Sequence, residues 1–362
     1  MAMFCKKTVN DLRPYKVVPQ DAWTDPENVL KLDWNESTQT ISPRVKQALK
    51  DAIDNTQLNW YPNVQNEELL GAISSYVTMP PENIMYFSSS DSAQEYIART
   101  FLESYDDVLI VGPTYDNFRV TCQSESYNIH FFYLDNEFRL NIDRLEESIT
   151  SIRPKLVYIS NPNNPTGTTY APETIRRLAE HFPDVLFLMD EAYIEFTVEE
   201  SCKSLVSDHD NIIITRTFSK AFGLAGFRIG FIISHKNNLE YIGRIRNPKN
   251  ITSLTQVATL AALQDLDYMH QYVTEVNKAK TFFIGELDRL GIRHAEGGGN
   301  FVLINTGKSS ELIAFLRKQK IYVRDYTQVS QLNGFDCRIT IGTTEQMQRV
   351  TDAIVRFLSI DQ

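Results

Sequence analysis

The chain has 362 residues, 42% of them hydrophobic and 11% aromatic, enough to bury a large core and to build one big domain plus a smaller one. Its formal net charge of -10 argues against nucleic acid and anionic membrane as partners, while leaving room for a small anionic substrate in a local basic pocket. Four cysteines (Cys5, Cys122, Cys202 and Cys337) lie far apart in no metal-binding spacing, so no metal is expected and a reducing compartment is.

The first ten residues carry Lys6-Lys7 but no apolar core, and no apolar run approaches membrane-spanning length. A soluble, cytoplasmic protein is expected.

In chain order, short apolar runs alternate with amphipathic helical stretches. Strands are predicted at 84–87, 108–111, 129–133, 156–160, 185–189, 212–215 and 229–233, with helices such as 92–102 and 172–181 between them. Near-continuous apolar strands alternating with helices predict an α/β fold: a mostly parallel seven-stranded sheet flanked by helices. Near Arg246-Asn247-Pro248 the pattern changes. A long helical stretch runs over 254–290, broken once, followed by Gly297-Gly298-Gly299 and strands at 301–304 and 338–341 with a helix between. The expected division is a large domain at 56–247 and a smaller, discontinuous α+β domain at 1–55 and 248–362.

Ligands of parallel sheets sit beyond the carboxyl ends of the strands, and polar signatures fall at those ends here. Ser90-Asp91-Ser92 follows the first predicted strand of the sheet and opens a helix, where backbone N–H groups can hold a phosphate or the serines can simply cap. Tyr115, in Pro113-Thr114-Tyr115, offers a ring to stack on a flat ligand or to fill the core. Asn161-Pro162-Asn163-Asn164-Pro165-Thr166-Gly167 is a rigid turn that can present an Asn side chain. Asp190, in Asp190-Glu191-Ala192-Tyr193, is a carboxylate directly after an apolar strand, which is costly without a partner such as a pyridinium N–H or an internal cation. Tyr193 can add a hydroxyl to the same pocket.

Thr217-Phe218-Ser219-Lys220 follows the apolar run 212–214, and Gly223, Gly226, Arg228 and Gly230 follow the lysine. The glycine spacing does not match a dinucleotide fingerprint. A lysine at a strand end can form a Schiff base, and Ser219 and Arg228 beside it can hold a phosphate. Together these groups make the set that pyridoxal 5'-phosphate requires: an amine for the aldehyde, an acid for the ring nitrogen, donors for the ring oxygen, and amides, hydroxyl and guanidinium for the phosphate.

At this point the chain resembles the fold-type I pyridoxal-phosphate aminotransferases, and within them the histidinol-phosphate aminotransferase branch. The resemblance spans nearly the whole chain. Beyond the motifs above it is carried by Leu12-Arg13-Pro14-Tyr15, Asn35-Glu36, Tyr61-Pro62, Asn300-Phe301, Val323-Arg324-Asp325 and Arg338-Ile339-Thr340-Ile341-Gly342. It implies that Lys220 carries the cofactor, Asp190 pairs with its ring nitrogen, Asn164 and Tyr193 contact its ring oxygen, and Tyr115 stacks on it. Ser90, Asp91, Ser92, Ser219 and Arg228 would surround its phosphate, with Tyr61 reaching in from a neighbouring subunit of a homodimer. Arg338 would bind the substrate's anionic group, helped by Arg324, Tyr15 and Asn35.

The implied reaction is a ping-pong transfer of an amino group between histidinol phosphate and 2-oxoglutarate. Aromatic or other pathway-specific amines are alternative substrates, and a decarboxylase of amino-acid phosphates would use the same lysine and aspartate. Four positions depart from the branch pattern. Trp34 stands where a small residue is common, Ser37-Thr38 where Asn-Pro is usual, Val17-Val18-Pro19 where a Pro-Gly turn is usual, and Lys249 where an aromatic is expected. Trp34 and Lys249 fall where side chains can reshape the substrate pocket or where drift is tolerated.

Overall fold

A computed structural model of the chain describes residues 4–14, 20–295 and 297–360. Twelve strands are present among them: β1 (Leu30–Leu32), β2 (Ile84–Phe87), β3 (Asp107–Gly112), β4 (Asn128–Tyr133), β5 (Leu156–Ser160), β6 (Leu186–Asp190), β7 (Ile212–Thr217), β8 (Gly230–Ser234), β9 (Arg293–Ala295), β10 (Phe301–Asn305), β11 (Ile321–Asp325) and β12 (Cys337–Thr340).

Seven of them form one sheet in the order β2-β8-β7-β6-β5-β3-β4. Its pairings are parallel except where β8 runs against both β2 and β7. The interior strands β5 and β7 are buried along their whole length. Helices on both faces cover them, which is why β5 and the first half of β7 read as apolar runs. The edge strand β4 has no fully buried residue and leaves Phe131 and Tyr133 exposed. The strand order reverses between β3 and β5, so the loops after β3, β5, β6 and β7 open into one crevice at the carboxyl edge.

The strand boundaries of this sheet fall within one residue of the sequence expectation, except that β7 runs on to Thr217; the shifts of β6 and β8 show why. β6 includes Asp190, because the ladder continues through Asp190 to Ser160 on one side and Thr215 on the other. β8 begins at Gly230, because Arg228 adopts a left-handed φ of 52° that closes the preceding turn.

The other five strands form a second sheet, β1-β11-β12-β10-β9, with β1 parallel to β11 and the rest antiparallel. The long helical stretch is two helices, Ser253–Leu263 and Leu266–Arg289. This mixed α/β architecture, with a mostly parallel seven-stranded sheet flanked by helices, is the fold expected from the sequence. Among the described residues no helix is long and apolar enough to cross a membrane.

Candidate active site

Lys220 follows β7 by three residues. Its ammonium donates to the Trp34 carbonyl at 2.8 Å and lies 5.6 Å from the centre of the Tyr193 ring. Burial, reinforced by the nearby Arg338 charge, pushes its pKa down to about 8. An amine in that range is partly neutral at physiological pH, as a nucleophile toward an aldehyde must be.

Asp190 ends β6 and is 5% exposed. Tyr158 Oη donates to its Oδ2 at 3.0 Å and Thr215 Oγ1 to its Oδ1 at 3.4 Å, while Gln94 Nε2 donates in turn to Thr215 Oγ1 at 3.3 Å. Burial still raises its pKa from the ordinary carboxylate range to about 6, against the opposing pull of the Tyr158 hydrogen bond. No cation pairs with Asp190 among the described residues' salt bridges, so the internal salt bridge left open by the sequence is not what holds it. A buried carboxylate in this condition is served by a ligand N–H.

Tyr193 receives two amide donors on its oxygen, Asn35 Nδ2 at 3.1 Å and Asn164 Nδ2 at 3.2 Å. Both donors come to it, so its own hydroxyl proton is left to donate outward. Asn164 spends its other amide atom on Arg338, whose Nη1 reaches Asn164 Oδ1 at 2.6 Å. Asn35 is fully buried, at a φ of 55°. Its Oδ1 accepts from Thr340 Oγ1 at 3.0 Å, and its carbonyl accepts from Asn300 Nδ2 at 3.1 Å. Every polar atom of the Asn35 side chain is thus committed within the protein, so the geometry suits it to hold Tyr193 rather than to touch a substrate.

The helix Ser90–Phe101 begins two residues after Ser88, beyond the end of β2. Ser89, not Ser90, caps that helix, accepting from Ser92 N at 3.0 Å. This leaves the first N–H groups of the helix free to face an anion. Ser90, Asp91 and Ser92 are half-buried there, and Arg228 lies 3.7 Å from Asp91. Ser219 accepts from Thr217 Oγ1 at 2.9 Å, which frees its own hydroxyl proton. Gly230 is what lets the helix come this close, because a Cβ there would sit 2.5 Å from Ser90 N and 2.6 Å from the Arg216 carbonyl.

Arg338 projects from β12 and is 4% exposed. Beside Asn164 it donates through Nη2 to the Asp33 carbonyl at 2.6 Å and weakly through Nη1 to Tyr326 Oη at 3.4 Å, while Nε is buried without an acceptor among the described residues. Arg324 is its direct cross-strand neighbour on β11 and is also buried. Two facing arginines repel unless an anion lies near them.

Tyr115 follows β3 by three residues and is half-buried. Tyr61 is not brought to this crevice. It is 79% exposed, with the Lys249 ammonium 4.7 Å from its ring centre. Tyr15 lies outside the described residues. Sequence reasoning passed over Tyr158, Thr215 and Gln94, and quoted Asn300 and Thr340 in motifs without giving them a role; all five hold the polar groups in place. The one signal for Tyr158 was a polar-tipped ring inside a fully apolar strand.

The residues present fit pyridoxal phosphate on these observations alone: a desolvated acid without a cation, a phenol with a spare proton, a depressed lysine, and a helix start beside an arginine and a free serine hydroxyl.

Comparison with known proteins agrees. Residues 27–354 match the family described as aminotransferase class I and II. The chain is 44% identical to the dihydroxyacetone phosphate transaminase of Campylobacter jejuni, over 98% of this chain and 97% of that one. It is 34% identical to the histidinol-phosphate aminotransferase of Methanococcoides burtonii, over 91% of this chain and 90% of that one. Its fold superimposes on the pyridoxal-5'-phosphate complex of histidinol-phosphate aminotransferase from Sinorhizobium meliloti with a TM-score of 0.88, at 24% identity and covering 99% of each chain.

Proposed function

Because the chain belongs to the class I and II aminotransferases and is a pyridoxal-phosphate-dependent transaminase, we propose that its substrate is a small phosphate monoester, a three-carbon ketone of the dihydroxyacetone phosphate type that leaves as the amine. The observation that carries this is Arg338: a buried guanidinium with an unpartnered Nε and no carboxylate among its hydrogen-bond partners, on the same crevice as Lys220. A guanidinium fork pairs equally with the phosphate of such an ester and the carboxylate of an amino donor, so one arginine serves both halves of the exchange. The 44% relative acts on dihydroxyacetone phosphate by its name.

When bound, pyridoxal phosphate supplies the aldehyde and the electron-withdrawing ring through which the amino group passes from donor to acceptor. Lys220 would hold the aldehyde through Nζ, and its amine, when free, would be the base placed to take and return the substrate's α-proton. Asp190 holds a proton on the ring nitrogen. Tyr193 Oη and Asn164 would hold the ring oxygen, and Tyr115 would pack against the ring. Arg228, Ser219, Ser90, Asp91 and Ser92 surround the cofactor phosphate, with the Asp91 carboxylate orienting Arg228. Arg338, with Arg324 beside it, binds and orients the substrate anion. Tyr61 serves the neighbouring subunit of a homodimer, a role supported by the run of exposed apolar side chains at Leu58, Trp60, Tyr61 and Val64.

A second reading, histidinol phosphate as the amine, is favoured by the Methanococcoides burtonii relative and by the same arginine. Half-reactions distinguish the two. The holoenzyme is mixed with glutamate, histidinol phosphate, phenylalanine, tyrosine and the amine of dihydroxyacetone phosphate, and loss of the lysine-bound cofactor's visible absorbance is followed. Rapid bleaching by the three-carbon amine phosphate and by glutamate is expected. Bleaching by phenylalanine or tyrosine, with none by either phosphate ester, overturns the reading.

A further inference from the structure

Trp34 stands between two residues that both reach into the site. The Asp33 carbonyl accepts from Arg338 Nη2 at 2.6 Å and the Asn35 amide donates to Tyr193 Oη at 3.1 Å, while the Trp34 carbonyl itself takes the Lys220 ammonium at 2.8 Å. The backbone on both sides of its side chain is thus fastened to Arg338 and Lys220.

The ring is held from several sides. Trp23 meets it edge-on at 5.4 Å, and the Lys31 ammonium lies 4.3 Å from its centre and 5.0 Å from that of Trp23. Lys31 is anchored in turn by Asp33 at 2.8 Å and by a close contact with Glu36. A ring fixed by an edge contact and a cation over its face cannot swing aside cheaply. Its Nε1–H is buried with no acceptor among the described residues. Such a donor is costly until a ligand oxygen arrives.

Resting on the phosphate-monoester reading, we infer that Trp34 is the residue that sets substrate length: its indole closes the side-chain end of the site to imidazole-bearing esters, and its Nε1–H donates to the free hydroxyl of a three-carbon phosphate ester. A tryptophan where the resembling branch commonly has a small residue fills volume that a longer substrate side chain could otherwise take. The orphan donor then rewards an oxygen at that place, and a site built around a hydrogen-bonding group rejects a ligand that cannot make the bond.

The test uses holoenzymes of wild type, Trp34→Ala and Trp34→Phe, each checked for unchanged cofactor absorbance and thermal midpoint. Half-reaction kcat and KM are measured with the three-carbon amine phosphate and with histidinol phosphate. Equilibrium binding of sn-glycerol 3-phosphate, an unreactive ester with the same hydroxyl and phosphate, is measured by calorimetry. In Trp34→Ala the preference for the three-carbon amine over histidinol phosphate is expected to fall by at least about tenfold, mainly through a lower KM for histidinol phosphate. Trp34→Phe keeps most of the volume and loses the N–H. It is expected to bind sn-glycerol 3-phosphate about fivefold to tenfold more weakly, with no gain toward histidinol phosphate.

A preference ratio unchanged within about twofold in Trp34→Ala, or a wild type that already favours histidinol phosphate, overturns the inference while leaving transamination of phosphate esters intact. A wild type that turns over neither ester overturns the phosphate-monoester reading itself and this inference with it.

Discussion

Asp190 is an acid held where water hardly reaches it, and that makes its charge a liability until the cofactor arrives. With a folded pKa of about 6 against an ordinary value of 3.8, the folded protein binds more protons than the unfolded chain between those two values. Stability of the cofactor-free protein is therefore full below about pH 4 and falls as pH rises through 6, by about 3 kcal/mol for this group. Asp190→Asn is expected to raise the melting temperature of the cofactor-free protein at pH 7.5 and to flatten its dependence between pH 4 and 6. The same variant should bind cofactor poorly and lose most of its turnover. A cofactor-free variant that melts lower than wild type at pH 7.5 would show that the carboxylate is not the strained group.

Lys220 behaves oppositely. Its lowered pKa of about 8, caused first by burial and then by Arg338, sets the pH at which the nucleophilic amine appears. The rate of reloading cofactor onto the cofactor-free protein is expected to rise with pH and level off above about 8. Arg338→Gln removes a positive neighbour and should move that profile to higher pH. Lys220→Ala is expected to lose the covalent visible band and on the order of 10³-fold in turnover. At this scale the sequence was informative for groups that follow apolar strands, because a lysine, an acid or an asparagine in such a place breaks a strong pattern. It was silent on Trp34, Trp23 and Lys31 as a cluster, since their meeting depends on a tertiary turn that no local period encodes. It was equally silent on Gln94 and Thr215, which look like ordinary residues of a helix and a strand.

The junction of β8 with the helix Ser90–Phe101 shows how elements, rather than single groups, create the phosphate end. The helix start can face the crevice only because Gly230 presents no side chain against Ser90 N and the Arg216 carbonyl. Gly230→Ala is expected to cost about 1–3 kcal/mol of stability by overpacking and to weaken cofactor binding at least tenfold. Gly71, within the helix Glu67–Val77 and with nothing within 4 Å of an added Cβ, provides the contrast. Gly71→Ala should stabilise by up to about 1 kcal/mol and leave cofactor affinity unchanged, a pair of outcomes read by thermal melts and equilibrium titration. The buried interior strands were legible because both of their faces are covered, which leaves an uninterrupted apolar run. β1 and β9 span only three residues each, Leu-Lys-Leu and Arg-His-Ala, and take their identity from pairing with distant strands. β11 was recognised as a motif and not as a strand, since Arg324 and Asp325 hide its apolar half.

On the scale of the whole molecule, the site is a seam between two sheets. Lys220 and Asp190 come from the seven-stranded sheet, Arg338 and Arg324 from the five-stranded one, and Asn35 is fastened to Thr340 across 305 residues of sequence. We propose a division of the chain near residues 55 and 248, supported by β1 joining the second sheet and by the helix Pro43–Asn55 packing against Ser253–Leu263. If Tyr61 completes a site across a homodimer, chains carrying Lys220→Ala and Tyr61→Ala should complement one another when unfolded and refolded together. Statistical mixing would restore about a quarter of wild-type turnover, whereas no recovery in a mixture shown to contain heterodimers would place Tyr61 outside the shared site.

The short contacts from Arg338 to Asn164 and Asp33 have a consequence for how ligands come and go. With Arg338 as the proposed anion receptor, neutral oxygens of Asn164 and Asp33 already engage two of its N–H groups, so an arriving phosphate or carboxylate would exchange partners with them. Affinity then reflects the difference between two nearly matched sets of contacts. An enzyme that has to release one product from this place before admitting the next reactant is served by such a shallow exchange.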